Sequence, residues 1–315
     1  MRKEVLNRLL SLVIILLGLS ILTFGLTYIL PSNPVEQMAE SMGAGHDPEM
    51  MERIAEKYGL DRPFIEQYLS WLNGVLHGDF GMSVKYSQPV SEVMGRKLPN
   101  TVLLAVTSFV LMVLIAFPLG ILSAVYKNKA ADYIIRFMSF IGISLPSFWV
   151  GMILIYLLAV QLHWLPVGGS DSLPCLVMPT ITLSLSMCAY YIRRIRAVMA
   201  EQMNEEYING CRARGLGKFR IIFFHVLPNS LLAIVTMLGM SFGGLLGGTM
   251  IVETVFSWNG IGKTAVEAIA NRDYQLIQGY VMWMGCIYVV INLLVDLSYR
   301  WLDPRIRRGE MRNEE

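Results

Sequence analysis

Six long apolar runs dominate the sequence. They cover residues 9–30, 101–125, 134–162, 176–192, 227–252 and 276–297. About 20 helical residues cross the hydrocarbon core of a bilayer, so each run is long enough to span it, allowing for tilt. Backbone polar groups inside lipid must be satisfied within the chain, which favours helices over irregular structure. The sequence therefore predicts an all-α integral membrane protein with about six transmembrane helices.

Composition supports this fold class. Of the 315 residues, 54% are hydrophobic and 16% are charged, which is too apolar for an ordinary soluble domain. The net charge of +2 gives no broad basic field for nucleic acid. The first run follows Arg2, Lys3 and Arg8 as in a signal peptide, but it is long and no small-residue cleavage site follows it. We interpret it as an uncleaved first span.

The distribution of Lys and Arg predicts the orientation. The N-terminal tail, the segments 126–136 and 193–225, and the C-terminal tail hold three, three, seven and five of these residues. The short loops on the other side hold only Lys263 and Arg272. Short basic segments stay in the cytoplasm, so both termini are predicted to be cytoplasmic.

Four regions follow from this topology. Residues 1–30 form a tail and the first transmembrane helix, 31–100 an extracytoplasmic helical segment, 101–299 the membrane core with a cytoplasmic loop at 193–226, and 300–315 a cytoplasmic tail. In the second region, Asp47 and Gly59 are predicted to cap one amphipathic helix, and another follows Pro63. We interpret this region as a small helical cap and not as a separate substrate site.

No metal or cofactor site is predicted. Cys175, Cys188, Cys211 and Cys286 lack the spacing of metal ligands or of a disulfide framework. The twenty methionines and the outer histidines are interpreted as packing residues. Residues 257–264 end like a phosphate-binding loop, but Ser257 replaces its first glycine and no strand precedes it, so nucleotide binding there is rejected.

The cytoplasmic loop is the most informative segment. Two apolar stripes are separated by Gly215, which permits a sharp turn, and four basic residues accompany them. The first stripe contains Met199, Met203, Tyr207 and Cys211, the second Phe219, Ile222 and Phe223, and the basic residues are Arg212, Arg214, Lys218 and Arg220. Two short amphipathic helices bent at a glycine form a projection that suits docking on a soluble partner.

This loop resembles the coupling loop of ABC importer permeases. The resemblance rests on Tyr207, the run Arg212-Ala213-Arg214-Gly215-Leu216, and the later Leu227-Pro228. The sequence departs from that family at Asn209-Gly210-Cys211, where an acidic residue and two alanines are usual, and at His225, where isoleucine is usual.

Further motifs are similar to the peptide and nickel branch of the family. They are Pro31-Ser32-Asn33-Pro34, Gly78-Asp79-Phe80-Gly81-Met82-Ser83, Leu98-Pro99-Asn100-Thr101, Ser144-Leu145-Pro146-Ser147-Phe148-Trp149, Arg272-Asp273-Tyr274 and Leu302-Asp303-Pro304-Arg305-Ile306-Arg307. Residues 247–253 and 302–308 look closest to the nickel permease.

The resemblance implies a non-catalytic pore subunit in a bacterial cell membrane. Its expected partners are two ATPase subunits, a second permease, an extracytoplasmic solute-binding protein and membrane lipid. Its expected solute is nickel, free or chelated, or a di- or oligopeptide. The expected ATPase-coupling residues are Asn209, Gly210, Cys211, Arg212, Ala213, Arg214, Gly215 and Leu216. Closure of the ATPases would move this loop and switch access to the pore.

Candidate pore-lining residues lie on the fifth span. They are Met240, Ser241 and Gly244, beside a glycine-rich helix face, and Glu253 near the outer end. Glu253 has an alternative interpretation as an interfacial carboxylate that is hydrated or paired with Lys263 or Arg272. Asp296 near the inner end of the last span is expected to pair with Arg300.

Two other functional classes compete with the importer. An intramembrane enzyme needs a His and Glu pair on zinc, paired aspartates, or a serine with a facing base, and the spans contain none of these. An ion-coupled secondary carrier working without an ATPase would need ionisable groups near the midplane and internal repeats. The sequence shows neither, and the carrier remains the alternative function.

Overall fold

The computed structural model describes residues 2–29, 35–36, 39 and 47–302. The helices are α1 (Arg2–Ile29), α2 (Pro48–Tyr58), α3 (Phe64–Leu76), α4 (Val90–Val125), α5 (Ala130–Ser144), α6 (Ser147–Leu154), α7 (Leu173–Gln202), α8 (Glu206–Ala213), α9 (Lys218–Ile221), α10 (Leu227–Val255), α11 (Ile261–Ala270) and α12 (Tyr274–Leu302). π-helical segments at Ile155–Gln161 and Ile222–Val226 extend α6 and α9. Strands β1 (Met82–Ser83) and β2 (Gln88–Pro89) form an antiparallel ribbon.

The fold class predicted from the sequence is confirmed. Among the described residues, five helices are long and apolar enough to cross a membrane, and the number rises to six if one bent pair counts as a single span. The chain divides into two compact units. Unit 1 comprises Met1–Asn100 and Asn259–Val290, and unit 2 comprises Thr101–Trp258 and Ile291–Glu315.

The two amphipathic helices after the first span form as predicted. The Asp47 carboxylate accepts a hydrogen bond from the Glu49 backbone N–H at the start of α2. Gly59 ends α2 in the left-handed conformation, with φ of 65°. Helix α3 starts immediately after Pro63. Each of these helix boundaries is set by one residue at the boundary itself, so it can be predicted from the local sequence.

The third apolar run is not one straight span. Helix α5 ends at Ser144, α6 begins at Ser147, and the pair is bent by 98°. Leu145 is extended, as expected for a residue that precedes a proline, and Pro146 cannot donate the hydrogen bond needed to continue the helix. The apolar run 134–162 is therefore divided between two helices at Pro146, a bend that the sequence analysis did not predict.

Two other prolines behave differently. Pro179 lies inside α7, which starts at Leu173 and passes through it without a break, and the ring is buried. Pro228 lies in the first turn of α10 and follows the π-helical segment Ile222–Val226. Because proline has no backbone N–H, one carbonyl in the preceding turn lacks its helical hydrogen-bond donor. This missing hydrogen bond explains the local widening of the helix there.

An ion pair is buried inside unit 2. The Arg196 guanidinium donates to both carboxylate oxygens of Asp132, at 2.6 and 2.7 Å. The same carboxylate accepts from the Ser123 hydroxyl at 2.6 Å and from the Asn128 backbone N–H at 2.9 Å. Asp132 is fully buried, and the Arg196 side chain is 19% exposed. This network joins α7 to the turn between α4 and α5.

Unit 1 brings together two motifs that are about 190 residues apart. The Ser83 hydroxyl donates to the buried Asp273 carboxylate at 2.6 Å, and the same oxygen accepts from the Lys85 backbone N–H. The other Asp273 oxygen accepts from the Leu276 N–H in the first turn of α12. One carboxylate thus caps a helix and fixes the β-ribbon beside it.

A second carboxylate holds the turn of the ribbon. Glu267 on α11 accepts hydrogen bonds from the Lys85 ammonium at 2.6 Å and the Tyr86 hydroxyl at 2.7 Å. Burial alone would raise the pKa of Glu267, but these hydrogen bonds and the charges of Lys85 and Lys263 lower it below its ordinary value of 4.5. Burial raises the pKa of Tyr86, so its hydroxyl stays a donor.

We expect Asp132→Ala to lower the free energy of unfolding by about 3 kcal/mol, because the mostly buried Arg196 charge loses its carboxylate. Thermal unfolding in detergent measures the change. The double substitution Asp132→Ala with Arg196→Met should recover most of the loss. The control is Glu92→Ala, since Glu92 and Arg96 form an exposed pair worth at most about 1 kcal/mol. Equal stability of Asp132→Ala and the wild type would contradict the assignment.

We also expect the stability of unit 1 to depend on pH through Glu267. Because its pKa is lower in the folded state, the stabilisation is complete above pH 4.5 and is lost as the pH falls through the folded pKa. The unfolding temperature should therefore drop as the pH falls below about 4.5. Glu267→Gln should show a flatter profile below that pH, and an identical profile would argue against this role.

Candidate functional site

Helix α8 is anchored to unit 2 by one apolar side chain. Ile208 is 1% exposed and belongs to a buried cluster that includes Ile195 and Met199 of α7 and Ile222 of the π segment. Cys211, one turn along α8, is half-buried and packs against the same cluster. The inner face of α8 is therefore fixed to the core of the unit.

The outer face of α8 is exposed, and two of its residues are small. Asn209, Gly210, Arg212 and Ala213 are all exposed. A Cβ atom added at Gly210 would meet no other atom within 4 Å. A surface with one amide, one guanidinium and two small residues allows close approach of another backbone without a steric clash.

The turn after α8 is a Schellman motif. The Leu216 N–H donates to the Cys211 carbonyl, and the Gly215 N–H donates to the Arg212 carbonyl. Gly215 has φ of 75°, which agrees with the sharp turn predicted there. Leu216 is half-buried against the core cluster, so the motif has the usual apolar contact across the cap.

The two apolar stripes predicted for this loop are only partly correct. The first is divided, because α7 ends at Gln202 and α8 begins at Glu206, and Tyr207 is exposed. In the second, Ile222 is buried, but Phe219 and Phe223 are exposed and stack with ring centroids 4.4 Å apart. Sequence reasoning missed Ile208 and Ile221, which are the buried anchors of α8 and α9.

The loop also contacts the end of α4. The Lys218 ammonium donates to the Val125 carbonyl at 3.3 Å, and it lies 5.6 Å from the centre of the Tyr126 ring. The ion pair between Asp132 and Arg196 ties the neighbouring turn to α7. Sequence reasoning missed this pair because 64 residues separate its members.

The candidate pore residues have different environments. The side chains of Met240, Ser241, Gly244 and Asp296 lie outside the described part of the structure. Glu253 is fully buried, and its carboxylate accepts a hydrogen bond from Thr101 at 2.6 Å. The Glu253 carboxylate is thus exposed neither to a pore nor to solvent, and it has a hydroxyl donor. This environment favours a structural role for Glu253.

Close helix packing is present at one predicted glycine. A Cβ atom added at Gly239 would lie 2.7 Å from the Val295 side chain, so α10 approaches α12 closely there. By contrast, Gly247 is exposed and a Cβ atom there would meet nothing within 4 Å.

The remaining candidate motifs have structural explanations. Gly260 precedes α11, and the buried Thr264 hydroxyl donates to the Gly260 carbonyl within the helix. Cys175 and Cys188 are buried, Cys211 is half-buried, and Cys286 is exposed. Within the described ranges, no three His, Cys, Asp or Glu side chains lie close enough together to hold a metal ion.

Comparison with known proteins assigns the family. Residues 116–308 match the model for the binding-protein-dependent transport system inner membrane component, and residues 1–107 match the N-terminal model of the same systems. The chain is 38% identical to the oligopeptide transport system permease protein AppB of Bacillus subtilis, over 97% of this chain and 99% of that protein.

Two Escherichia coli K12 proteins are also similar. The probable D,D-dipeptide permease DdpB is 34% identical over 95% of this chain and 96% of its own length, and the glutathione permease GsiC is 34% identical over 98% and 99%. None of these three relatives is named as a nickel permease, so the resemblance to that subunit has no support from them.

The fold is also found in a solved structure. An inward-facing structure of the MetNI methionine ABC transporter matches with a TM-score of 0.57 and 16% identity, over 67% of this chain and 96% of that one. The predicted resemblance to ABC importer permeases is confirmed, and the solitary ion-coupled carrier gains no support. The chain therefore belongs to the family of binding-protein-dependent transport system inner membrane components, as a non-catalytic, multi-pass permease subunit that works with separate ATPase and solute-binding proteins.

Proposed function

We propose that this chain forms half of the pore of an ATP-driven importer for peptides or peptide-like solutes, and that the outer face of α8 docks on an ATPase subunit. The observation that carries the proposal is the two-sided character of α8. Ile208 fixes one face to the membrane unit, and the exposed face carries Asn209, Gly210 and Ala213. A helix fixed on one side and open on the other can transmit a force from a soluble partner.

The contacts around α8 supply the path for that force. A displacement of α8 would act on the cluster through Ile208 and on α9 through the turn at Gly215. It would reach α7 through Ile195 and Met199, which pack in the same cluster. Packed interiors resist compression, so α7 and α8 would move together and not independently.

The peptide class rests on the named relatives. An oligopeptide permease, a dipeptide permease and a glutathione permease each share at least 34% of aligned residues with this chain over nearly its whole length. Peptides and glutathione share amide bonds and terminal charges, so one type of pore suits them all. Nickel, the other solute expected from the sequence, lacks such support.

A second, homologous permease would complete the pore. Met240, Gly244, Gly247 and Ile251 recur at intervals of four, three and four along α10, so these positions share one helix face. Gly247 is exposed and Ile251 is 51% exposed within this chain. We infer that Gly247 and Ile251 face the second permease or the pore, while pore lining by Met240, Ser241 and Gly244 stays a prediction from the sequence. Glu253 is not part of this proposed face.

We expect Gly210→Trp to weaken ATPase docking by roughly tenfold, which is about 1.4 kcal/mol, because a large ring would occupy the docking face. ATP-dependent uptake of a labelled oligopeptide into proteoliposomes with the complete transporter should fall with it. The space around Gly210 is open within this chain, so the unfolding temperature should stay unchanged.

The matched control is Gly95→Trp. Gly95 is also an exposed helical glycine with no atom within 4 Å of an added Cβ, and it lies in unit 1. This variant should retain wild-type docking and uptake. Equal loss in both variants, or full activity of Gly210→Trp, would contradict docking through α8.

We expect Gly215→Val to uncouple ATP hydrolysis from uptake, because a β-branched residue at φ of 75° costs about 1–2 kcal/mol and distorts the turn. Gly215→Asn should retain most coupling, since asparagine tolerates the left-handed conformation. The ratio of solute imported to ATP hydrolysed is the measurement. Similar ratios for both variants would show that the turn geometry does not matter.

A further inference from the structure

An apolar groove of about 600 Å³ lies in unit 1 between α1 and the start of α12. Its α1 wall is formed by Leu19, Leu22, Thr23, Leu26 and Thr27, and its other wall by Ile269, Arg272, Tyr274, Ile277 and Val281. Leu22 and Leu26 are 62% and 58% exposed, so the groove is open along its side.

The polar groups in the α1 wall are satisfied within the protein. The Thr23 hydroxyl donates to the Leu19 carbonyl, and the Thr27 hydroxyl donates to the carbonyls of Thr23 and Phe24. Thr27 also accepts from the Gln278 amide at 2.6 Å. The wall therefore presents methyl and methylene groups to its occupant, and it offers little to a peptide backbone that would need hydrogen-bond partners.

Among the described residues that line this groove, Arg272 alone carries a formal charge. Its side chain is exposed, and among the described residues no carboxylate lies within 4 Å of its guanidinium. The residue has φ of 55°, a left-handed conformation at a helix end where glycine or asparagine is usual. Arg272 thus has no carboxylate partner among the described residues, and its backbone conformation is unfavourable for an arginine. Neither feature is expected if the turn alone determines the residue type.

We propose that this groove binds one phospholipid, with an acyl chain against Leu22, Leu26 and Val281 and the phosphate on Arg272. The protein lies in a membrane, so an open apolar groove on its spanning helices is covered by lipid unless protein covers it. A guanidinium beside an apolar groove complements a phosphate attached to acyl chains. The charge counts place Arg272 on the extracytoplasmic side, so the lipid belongs to that leaflet.

The groove is a fixed feature of the packing between α1 and α12. A Cβ atom added at Gly285 would lie 3.2 Å from the Leu19 side chain, so the two helices are close there. The hydrogen bond from Gln278 to Thr27 joins them again near the groove. A groove bounded by two fixed contacts keeps its width, which favours one occupant over a loose layer of lipid.

Native mass spectrometry of the purified transporter tests the proposal. The complex is extracted from vesicles of phosphatidylglycerol and phosphatidylethanolamine, delipidated with detergent, and scored for retained phospholipid. Arg272→Asn should lower the retained lipid by about fivefold and Arg272→Lys should restore most of it, because the ammonium also attracts phosphate. Val281→Trp should also lower the retained lipid by filling the groove. Arg53→Gln, which removes an exposed arginine from α2, is the charge-matched control and should change nothing.

A second readout separates lipid binding from a structural role. Asparagine suits the left-handed conformation, so Arg272→Asn should keep or raise the unfolding temperature in detergent while it loses lipid. Equal lipid retention in all variants would overturn the proposal. So would a cross-link from Leu22→Cys to a second permease chain, because that result would place protein and not lipid in the groove.

Discussion

The packing of Ile208 into the apolar cluster of unit 2 is the contact on which the proposed docking role of α8 depends. It fixes one face of a short, otherwise exposed helix, and an eight-residue helix in water has too few internal hydrogen bonds to be stable alone. The Schellman turn at Gly215 and the ion pair between Asp132 and Arg196 hold the segments on either side of it. The exposed residues of α8 are therefore presented at a fixed position, as a docking surface requires.

The second constraint comes from the membrane, where backbone polar groups must be satisfied within the chain. Three prolines show how the chain meets it. At Pro146 the helix stops and turns through 98°. At Pro179 the helix continues, with the ring buried against its neighbours, and at Pro228 the upstream turn widens into a π segment. In each case a missing N–H is accommodated, but the means depends on what packs around the proline. The sequence alone therefore predicts where the helix is perturbed. It does not predict whether the helix bends, continues or widens there.

Much of the fold could be predicted from the sequence because the relevant signals are local. Asp47, Gly59 and Gly215 each determine a helix boundary or a turn within a few residues, and apolar length identifies most spans. The bend at Pro146 was missed because the apolar run continues through it. The orientation of α8 was only partly predicted, since the buried residue Ile208 lies between two stripe positions and not on the stripe.

Contacts between distant residues could not be predicted. Asp132 and Arg196 lie in separate helices, and Ser83 and Asp273 belong to motifs that are 190 residues apart in the sequence. No periodicity within one segment shows that such residues meet, because the contact depends on how helices pack. The same holds for Glu253, whose position near a helix end predicted a polar environment, although its carboxylate is buried against Thr101.

A photo-cross-link from the outer face of α8 tests most directly whether this helix docks on an ATPase subunit. A photoreactive residue at Asn209 in the assembled transporter should cross-link to an ATPase subunit, with a yield that changes when ATP is added. The same residue at Arg96, which is exposed in unit 1, should not. If Asn209 cross-links only to lipid or water while ATP-dependent uptake continues, coupling does not pass through α8.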